Sequence, residues 1–346
     1  MKVLLDYTFE EIKNIVTQSG EAAYRATQLF DGLYRGAKLD EINLPKSLKN
    51  YLQNEGYTAQ GVEIVHCVES KIDGTKKYIF KLWDNNVIEG VLMKYKYGNT
   101  ICVSTQVGCR MNCAFCASGL NGLVRNLSAG EILAQVVAVN RDNKSDERRA
   151  ITNIVLMGSG EPLDNYDNTT KFLRLVSDER GLNISRRNVS LSTCGLCEQI
   201  KRLADENYGI TLTISLHAPN DEIRKKIMPV ANKYGVNDII QAVRYYFDKS
   251  GRRIIFEYSM VGGLNDSVEC AEELSRLVKG LPCHINLIRL NYVKEKGLNS
   301  SDDERIKKFK LRLEKNGVSC TIRRSMGSDI DGACGQLRRK YISGEV

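Results

Sequence analysis

The sequence has no uninterrupted apolar run of about eighteen residues, the length a membrane-spanning helix needs, so no membrane-embedded segment is expected. Its opening, Met1-Lys2-Val3-Leu4-Leu5-Asp6, is too short and too soon acidic for a signal peptide, and a cytoplasmic location is expected. There is no internal repeat beyond a strand–helix alternation, no low-complexity tract and no long linker. Histidine is scarce, with three residues (His66, His217 and His284), and a lone histidine beside an apolar strand usually reads as a satisfied structural residue. Cysteine, by contrast, is abundant. Eleven cysteines in a chain without an export signal point to thiol or metal chemistry and away from a disulfide framework. The net charge of +8 permits a phosphate-rich partner without specifying one. At 346 residues the chain is long enough for one large domain and a smaller one.

Cys109, Cys113 and Cys116 stand at C-x3-C-x2-C spacing, directly after the apolar run 100–106. Thiolates so spaced can turn toward one metal centre from a single loop. A structural zinc site takes four protein ligands and a [4Fe–4S] cluster normally four cysteines, so three leave one iron open to another ligand. A zinc knuckle completed by a distant cysteine or histidine is the alternative. The spacing resembles the signature of the radical S-adenosylmethionine (SAM) superfamily, in which the open iron holds the amino and carboxylate groups of SAM.

Residues 1–66 read as a small helical unit. Residues 9–16 and 22–34 have helical apolar spacing, and Leu44-Pro45 opens a third candidate over 46–54. Arg25, Arg35, Lys38, Lys46 and Lys49 lie among Tyr24, Tyr34 and Tyr51, an interleaving that suits RNA and equally suits solvated helix faces. Over 67–98 the pattern changes to strand period, with 77–82 and 88–93 flanking the turn Asp84-Asn85-Asn86, which predicts a β-hairpin extension. Strands at 100–106, 153–157, 188–192, 210–216, 254–260 and 284–290 then alternate with helices at 129–140, 169–178, 198–206, 236–250 and 267–279. Ser128-Ala129-Gly130-Glu131 has capping-box spacing at the first of these helices. Such units in series imply parallel strands with right-handed crossovers: an α/β fold, an open (β/α)6 barrel over 99–324 with chemistry at the C-terminal strand ends. A last strand at 318–323 leads into a tail, 325–346.

Several motifs fall at those strand ends. Met157-Gly158-Ser159-Gly160-Glu161-Pro162 offers backbone that a ligand can approach and one negative charge for an ammonium group. Ser192, Ser215-Leu216-His217 and Asn291 end later strands, and their repeated placement favours a shared ligand over simple strand termination. Cys194-Gly195-Leu196-Cys197 is a C-x-x-C, but it has no companion pair and reads as structural. Glu89 is a lone acid in a strand, ordinarily solvated, and Cys102 reads as an inward strand residue. The tail segment Arg323-Arg324-Ser325-Met326-Gly327-Ser328-Asp329-Ile330-Asp331-Gly332-Ala333-Cys334-Gly335-Gln336-Leu337 suggests a loop presenting one thiol, with an ordinary buried cysteine as the alternative.

Together, 106–116, 158–163, Ser215-Leu216-His217-Ala218 and 327–337 resemble the RlmN/Cfr family of radical SAM RNA adenine methyltransferases over nearly the whole chain. The resemblance implies a [4Fe–4S] cluster on Cys109, Cys113 and Cys116, and two SAM molecules per turnover. One SAM methylates Cys334. The other yields a 5′-deoxyadenosyl radical that takes hydrogen from that S-methyl group, and the resulting methylene radical adds to the adenine. It further implies Cys102 as the thiol that resolves the adduct through a disulfide with Cys334, and Glu89 as proton acceptor. SAM would lie on Gly160, Glu161, Ser192, Ser215, Leu216, His217 and Asn291. RlmN-type members methylate C2 of an adenosine in 23S rRNA and, in some cases, adenosine 37 of tRNAs; Cfr-type members methylate C8 of the same rRNA adenosine. Arg323-Arg324 and the tail resemble RlmN more than Cfr, while Ser159 departs from the methionine usual in the family's GMGEP. A flavodoxin- or ferredoxin-like electron donor and a monomeric chain are expected. A metal-stabilised RNA-binding module without enzymatic activity is the reading from a different class.

Overall fold

The computed structural model describes residues 1–143, 149–293, 295–330, 336–342 and 344–345. Among them, ten strands lie side by side in chain order in one sheet: β1 (Glu63–Glu69), β2 (Lys76–Lys81), β3 (Val87–Tyr95), β4 (Gly98–Cys102), β5 (Asn153–Leu156), β6 (Val189–Thr193), β7 (Thr211–Ser215), β8 (Ile254–Met260), β9 (Cys283–Arg289) and β10 (Cys320–Ile322). The pairs from β1 to β4 are antiparallel, and every pair from β4 to β10 is parallel. A parallel pair needs a crossover, and α4 (Ala129–Asp142), α5 (Tyr166–Val176), α6 (Cys197–Glu206), α8 (Val236–Ser250), α9 (Val268–Leu277) and α10 (Asp303–Lys315) supply them. The expected open α/β barrel with a β-extension is therefore the observed architecture, with β10 as a seventh parallel strand.

Local chemistry sets the element boundaries. The Ser128 hydroxyl accepts from Glu131 N at 3.2 Å while Ser128 N donates to the Glu131 carboxylate at 2.9 Å, the reciprocal pair its spacing predicts. Thr8 and Glu11 repeat the arrangement at the start of α1 (Phe9–Gln18), and α8 ends on Gly251 at φ 63°. With α2 (Arg25–Tyr34) and α3 (Lys46–Asn54), α1 forms the N-terminal unit. Its buried Ile12, Leu29 and Leu48 belong to the same apolar cluster as Ile132, Val136 and Phe172 of α4 and α5. Asp6 seals the contact by accepting Gly130 N at 2.6 Å.

Three local expectations change. The run 100–106 is not one strand: Gln106–Gly108 leaves the sheet and pairs antiparallel with Leu123–Asn126. The cause is the approach of Gly108 to Gly122, where a Cβ on Gly108 would lie 2.0 Å from the Gly122 carbonyl oxygen. The β-extension begins at Glu63, because β1 adds a half-buried edge strand that its irregular alternation concealed. Tyr34 is buried with its hydroxyl donating to Leu175 O at 3.3 Å, so it is absent from the basic, aromatic face on which Arg25 stacks over the exposed Tyr24 at 4.7 Å.

Arg125 holds the hairpin turn against the barrel. Its Nε donates to Asp84 at 2.6 Å, and its Nη1 and Nη2 donate to the two oxygens of the buried Glu131, each at 2.8 Å. Burial opposes ionisation of Asp84, but hydrogen bonds from Arg125 and Asn86 bring its pKa down to about 2. Removing the cation would leave a buried carboxylate uncompensated, at a cost of about 2–3 kcal/mol. Arg125→Ala is therefore expected to lower the unfolding free energy at pH 7 by that amount in urea titrations. Asp84 has a depressed folded-state pKa, so its share is present above about pH 4 and lost as pH falls toward 2. The deficit of the variant should narrow over that window. A deficit below about 0.5 kcal/mol at pH 7 would show the contact to be a surface pair.

Candidate active site at the strand ends

The segment from Cys109 to Cys116 is framed by the ribbon of Gln106–Gly108 with Leu123–Asn126. Its backbone is pinned at two places: Cys109 N donates to Gly122 O at 3.0 Å, and Ala114 N donates to Ile227 O at 2.8 Å. Met111, Cys113, Ala114 and Phe115 pack against Cys194, Ile227, Met228 and Leu264. Burial pushes the Cys109 thiol up to about 12, with negative charge on Glu161 and Cys116 adding to it. Cys113 is raised by burial and then by Cys116 and Cys109. Three thiols so close cannot all ionise in an apolar pocket unless a cation compensates them, and a thiol-only donor set suits an iron–sulfur centre. They are neighbours rather than a closed set, since among the described residues no three ligating side chains surround one point.

Next to this loop, residues 158–161 run under strand-end backbone with almost no clearance. Gly160 has φ 109°, and a Cβ there would stand 2.6 Å from Gln106 Cβ. A Cβ on Gly158 would be 2.7 Å from Val103 backbone. The Ser159 backbone makes the contacts, accepting from Thr105 N at 2.9 Å and donating to Ser104 Oγ at 2.9 Å. Glu161 is buried, and burial raises its pKa against backbone hydrogen bonds that lower it. Its carboxylate accepts from Cys194 N at 2.7 Å and Leu163 N at 3.0 Å, and its own N donates to Gln106 Oε1 at 2.8 Å.

The β6 and β7 ends continue the same wall. Ser192 and Ser215 bring their hydroxyls within 3.3 Å. Leu216 is fully buried, and His217 turns the chain at φ 59°. The His217 Nδ1 accepts from Ser259 N at 3.0 Å, which assigns the proton to Nε2. Phe115 meets its ring edge-on at 4.7 Å, placing the histidine directly against the cysteine loop. Burial and then the Arg224 charge hold its pKa down at about 3, so it is a neutral donor at physiological pH. The Cys194/Cys197 pair is buried with both thiols raised by burial, in line with a structural reading. Asn291 is set apart, exposed on the rim beyond β9.

Cys102 lies at the end of β4 with little exposure, packed with Val91, Met93 and Met326 beside a cavity of about 200 Å³ that Asn291 also lines. Glu89 on β3 is buried, with Lys77 Nζ 3.5 Å from its carboxylate. Cys334 lies outside the described residues, but both its flanks dock on the β-extension. On one side Gly327 N donates to Asp73 at 2.9 Å, and Asp329 accepts from Ser70 Oγ at 2.6 Å and Lys71 N at 3.0 Å. On the other, α11 (Gln336–Ile342) directs Arg338 N to the Glu89 carboxylate and Arg338 Nε to Val87 O at 2.7 Å. The rings of Tyr95 and Tyr97 stack 5.0 Å apart and 6° from parallel, lining with Arg187 and Arg324 a cavity that runs along the barrel interior; Tyr97 and Arg187 shortly precede β4 and β6 and so lie at the N-terminal strand ends. Sequence reasoning missed Arg224, Lys77 and Asn265. Each is fully buried, and nothing in its local pattern announces that.

The fold and this thiol loop define a radical SAM protein, and the Radical SAM superfamily model matches residues 103–278. The chain is 52% identical over 345 residues to a probable dual-specificity RNA methyltransferase RlmN from Clostridium novyi, covering 99% of each. It is 51% identical over 339 residues to the protein of that name from Lachnospira eligens, covering 96% of this chain and 95% of that one. A crystal structure of a radical SAM methyltransferase from Sphaerobacter thermophilus superposes with a TM-score of 0.92 at 41% identity, over 97% of this chain and 99% of that one. This chain belongs to the RlmN/Cfr family of radical SAM RNA methyltransferases.

Because Gly160 combines a left-handed φ with the close approach of Gln106, Gly160→Ala is expected to cost about 1–3 kcal/mol of stability. Denaturant titration of the apoprotein measures it; an unchanged midpoint would contradict the packing described.

Proposed function

We propose that this chain methylates C2 of an adenosine in the peptidyl-transferase centre of 23S rRNA and C2 of adenosine 37 in tRNAs, with Cys334 as the methyl carrier. The observation that carries the reading is the convergence on one wall of a buried thiol (Cys102), a buried acid (Glu89) and the two docked flanks of the Cys334 segment. C2 of adenine has no lone pair with which to attack a methyl sulfonium, which is why the chemistry needs a radical and a carrier.

Cys109, Cys113 and Cys116 would hold a [4Fe–4S] cluster with one iron open, and Gly160, Glu161, Ser192, Ser215, Leu216, His217 and Asn291 would hold SAM. Bound together, cluster and SAM supply the 5′-deoxyadenosyl radical. The rest falls to side chains of this chain. Cys334 takes a methyl group from a first SAM and presents it to the adenine. Glu89, oriented by Lys77 and by Arg338 N, accepts the ring proton. Once the adduct has lost its ring proton to Glu89 and its unpaired electron to the electron-transfer partner, the Cys102 thiolate attacks the Cys334 sulfur. The S–S bond forms as the S–CH2 bond breaks, and the carbon keeps that electron pair and takes a proton to become the methyl group of the released base. Tyr95, Arg323 and Arg324, which line the cavity beside Cys102, offer aromatic and cationic surface to an RNA base. A flavodoxin- or ferredoxin-like protein would deliver the electrons to a monomeric enzyme.

The test is anaerobic reaction of the reconstituted protein with SAM, a reductant, and either a 23S rRNA fragment or tRNA, followed by nucleoside mass spectrometry. 2-Methyladenosine in both RNAs is expected, and 8-methyladenosine would overturn the regiochemistry. Cys334→Ala should give no methylated nucleoside. Cys102→Ala should accumulate RNA joined to protein, seen as a shifted band on a denaturing gel, and its absence would remove the resolving role.

A further inference from the structure

Arg224, on α7 (Asp221–Ile227), is the largest fully buried side chain among the described residues. Its guanidinium donates only to backbone carbonyls: Nη2 to Cys194 O at 2.6 Å and Ser215 O at 3.3 Å, Nε to Leu216 O at 3.1 Å, and Nη1 to Tyr234 O at 3.4 Å. No carboxylate among the described residues forms an ion pair with it. The nearest in sequence, Asp221, accepts Val236 N at 2.7 Å and acts on Arg224 from beyond ion-pair distance. A buried cation normally keeps an anionic partner, because carbonyl dipoles replace its hydration but not its countercharge.

Asp221 compensates the cation from a distance only, and a second anion has one evident place. α7 abuts the cysteine loop: Ala114 N bonds Ile227 O at 2.8 Å, and Cys113 and Ala114 pack with Ile227 and Met228. The Arg224 charge is felt at Cys113, Cys194 and His217. A cluster bound through three thiolates is anionic, and becomes more so on reduction. Net charge and nearby protein charge are among the levers that set such a potential.

We propose that Arg224 is the fixed positive charge that raises the reduction potential of the cluster, while its planar fork pins the strand-end carbonyls of Cys194, Ser215 and Leu216. This rests on the cluster assignment above and makes Arg224 a positioning residue that acts through its charge and the backbone it holds.

The test uses the full chain, reconstituted anaerobically without SAM, with iron and sulfide content, circular dichroism and a mediated redox titration followed by electron paramagnetic resonance. At the wild-type midpoint, Arg224→Gln is expected to show a reduced-to-oxidised ratio about tenfold smaller, a shift of about 59 mV for a one-electron couple. Arg224→Lys keeps the charge and loses the fork, so its midpoint should stay near wild type while its melting temperature falls. An Arg224→Gln protein with full iron content and an unchanged midpoint overturns the proposal. So does an Arg224→Lys midpoint lowered as far as that of Arg224→Gln. Where Arg224→Gln takes up no iron, Arg224→Lys alone decides: an unchanged midpoint supports the charge and a lowered one refutes it. Wild-type protein that takes up no iron–sulfur cluster would instead fail the functional assignment itself.

Discussion

A chain of buried hydrogen bonds joins the C-terminal ends of the barrel strands, and the candidate site is built on it. Glu161 N donates to Gln106 Oε1; the Glu161 carboxylate accepts Cys194 N; Cys194 O accepts the Arg224 guanidinium, which also reaches Leu216 O and Ser215 O. The ends of β5, β6 and β7 and the ribbon carrying the cysteine loop are thus tied through groups that would each be costly to leave unpaired. An apolar core holds the sheet to its helices, through Ile154, Leu191, Leu212, Phe256 and Leu287, while the alternating Ser190, Thr213, Glu257 and Asn286 line the barrel interior. At the top, where a polar ligand has to fit, buried hydrogen bonds hold the strand ends together.

That division gives the two halves of the site different character. The wall from Cys109 to His217 is held by buried bonds and by glycines with no room for a side chain, which suits a cofactor that must sit in one pose. The opposite wall is made of the β-extension and the docked tail, which meet through carboxylates accepting backbone N–H groups at Asp73, Asp329 and Glu89 and through Met326 and the buried Leu337, packed on Cys102 and on Ile79 and Val87.

The sequence made the wall beside the thiol loop more legible than the wall on which the tail docks. A thiol loop, a glycine-rich turn and strand-terminal polar residues are local patterns; the turn, Ser192 and Ser215 lie at the C-terminal ends of parallel strands, and the thiol loop follows the antiparallel ribbon beyond β4. The capping box at Ser128 is local in the same way. What was hidden depends on distant partners. The break in the run 100–106 is decided by Gly122, Tyr34 is buried by α5, and β1 exists because β2 is beside it. Arg224 stands in Asp221-Glu222-Ile223-Arg224-Lys225-Lys226-Ile227, which reads as a solvated charged helix, yet it is wholly enclosed. Cys102 and Glu89 look like ordinary strand residues until their strands are paired and the flanks of the tail are seen on the same extension.

The central claim is that three thiols hold a cluster whose open iron takes SAM. Electron paramagnetic resonance of the reduced, reconstituted protein with and without SAM carrying a 15N-labelled amino group tests it most directly. A [4Fe–4S] signal that changes on adding SAM and shows coupling to the labelled nitrogen is expected. A protein that takes up zinc and no cluster, or a cluster signal indifferent to SAM, would contradict it.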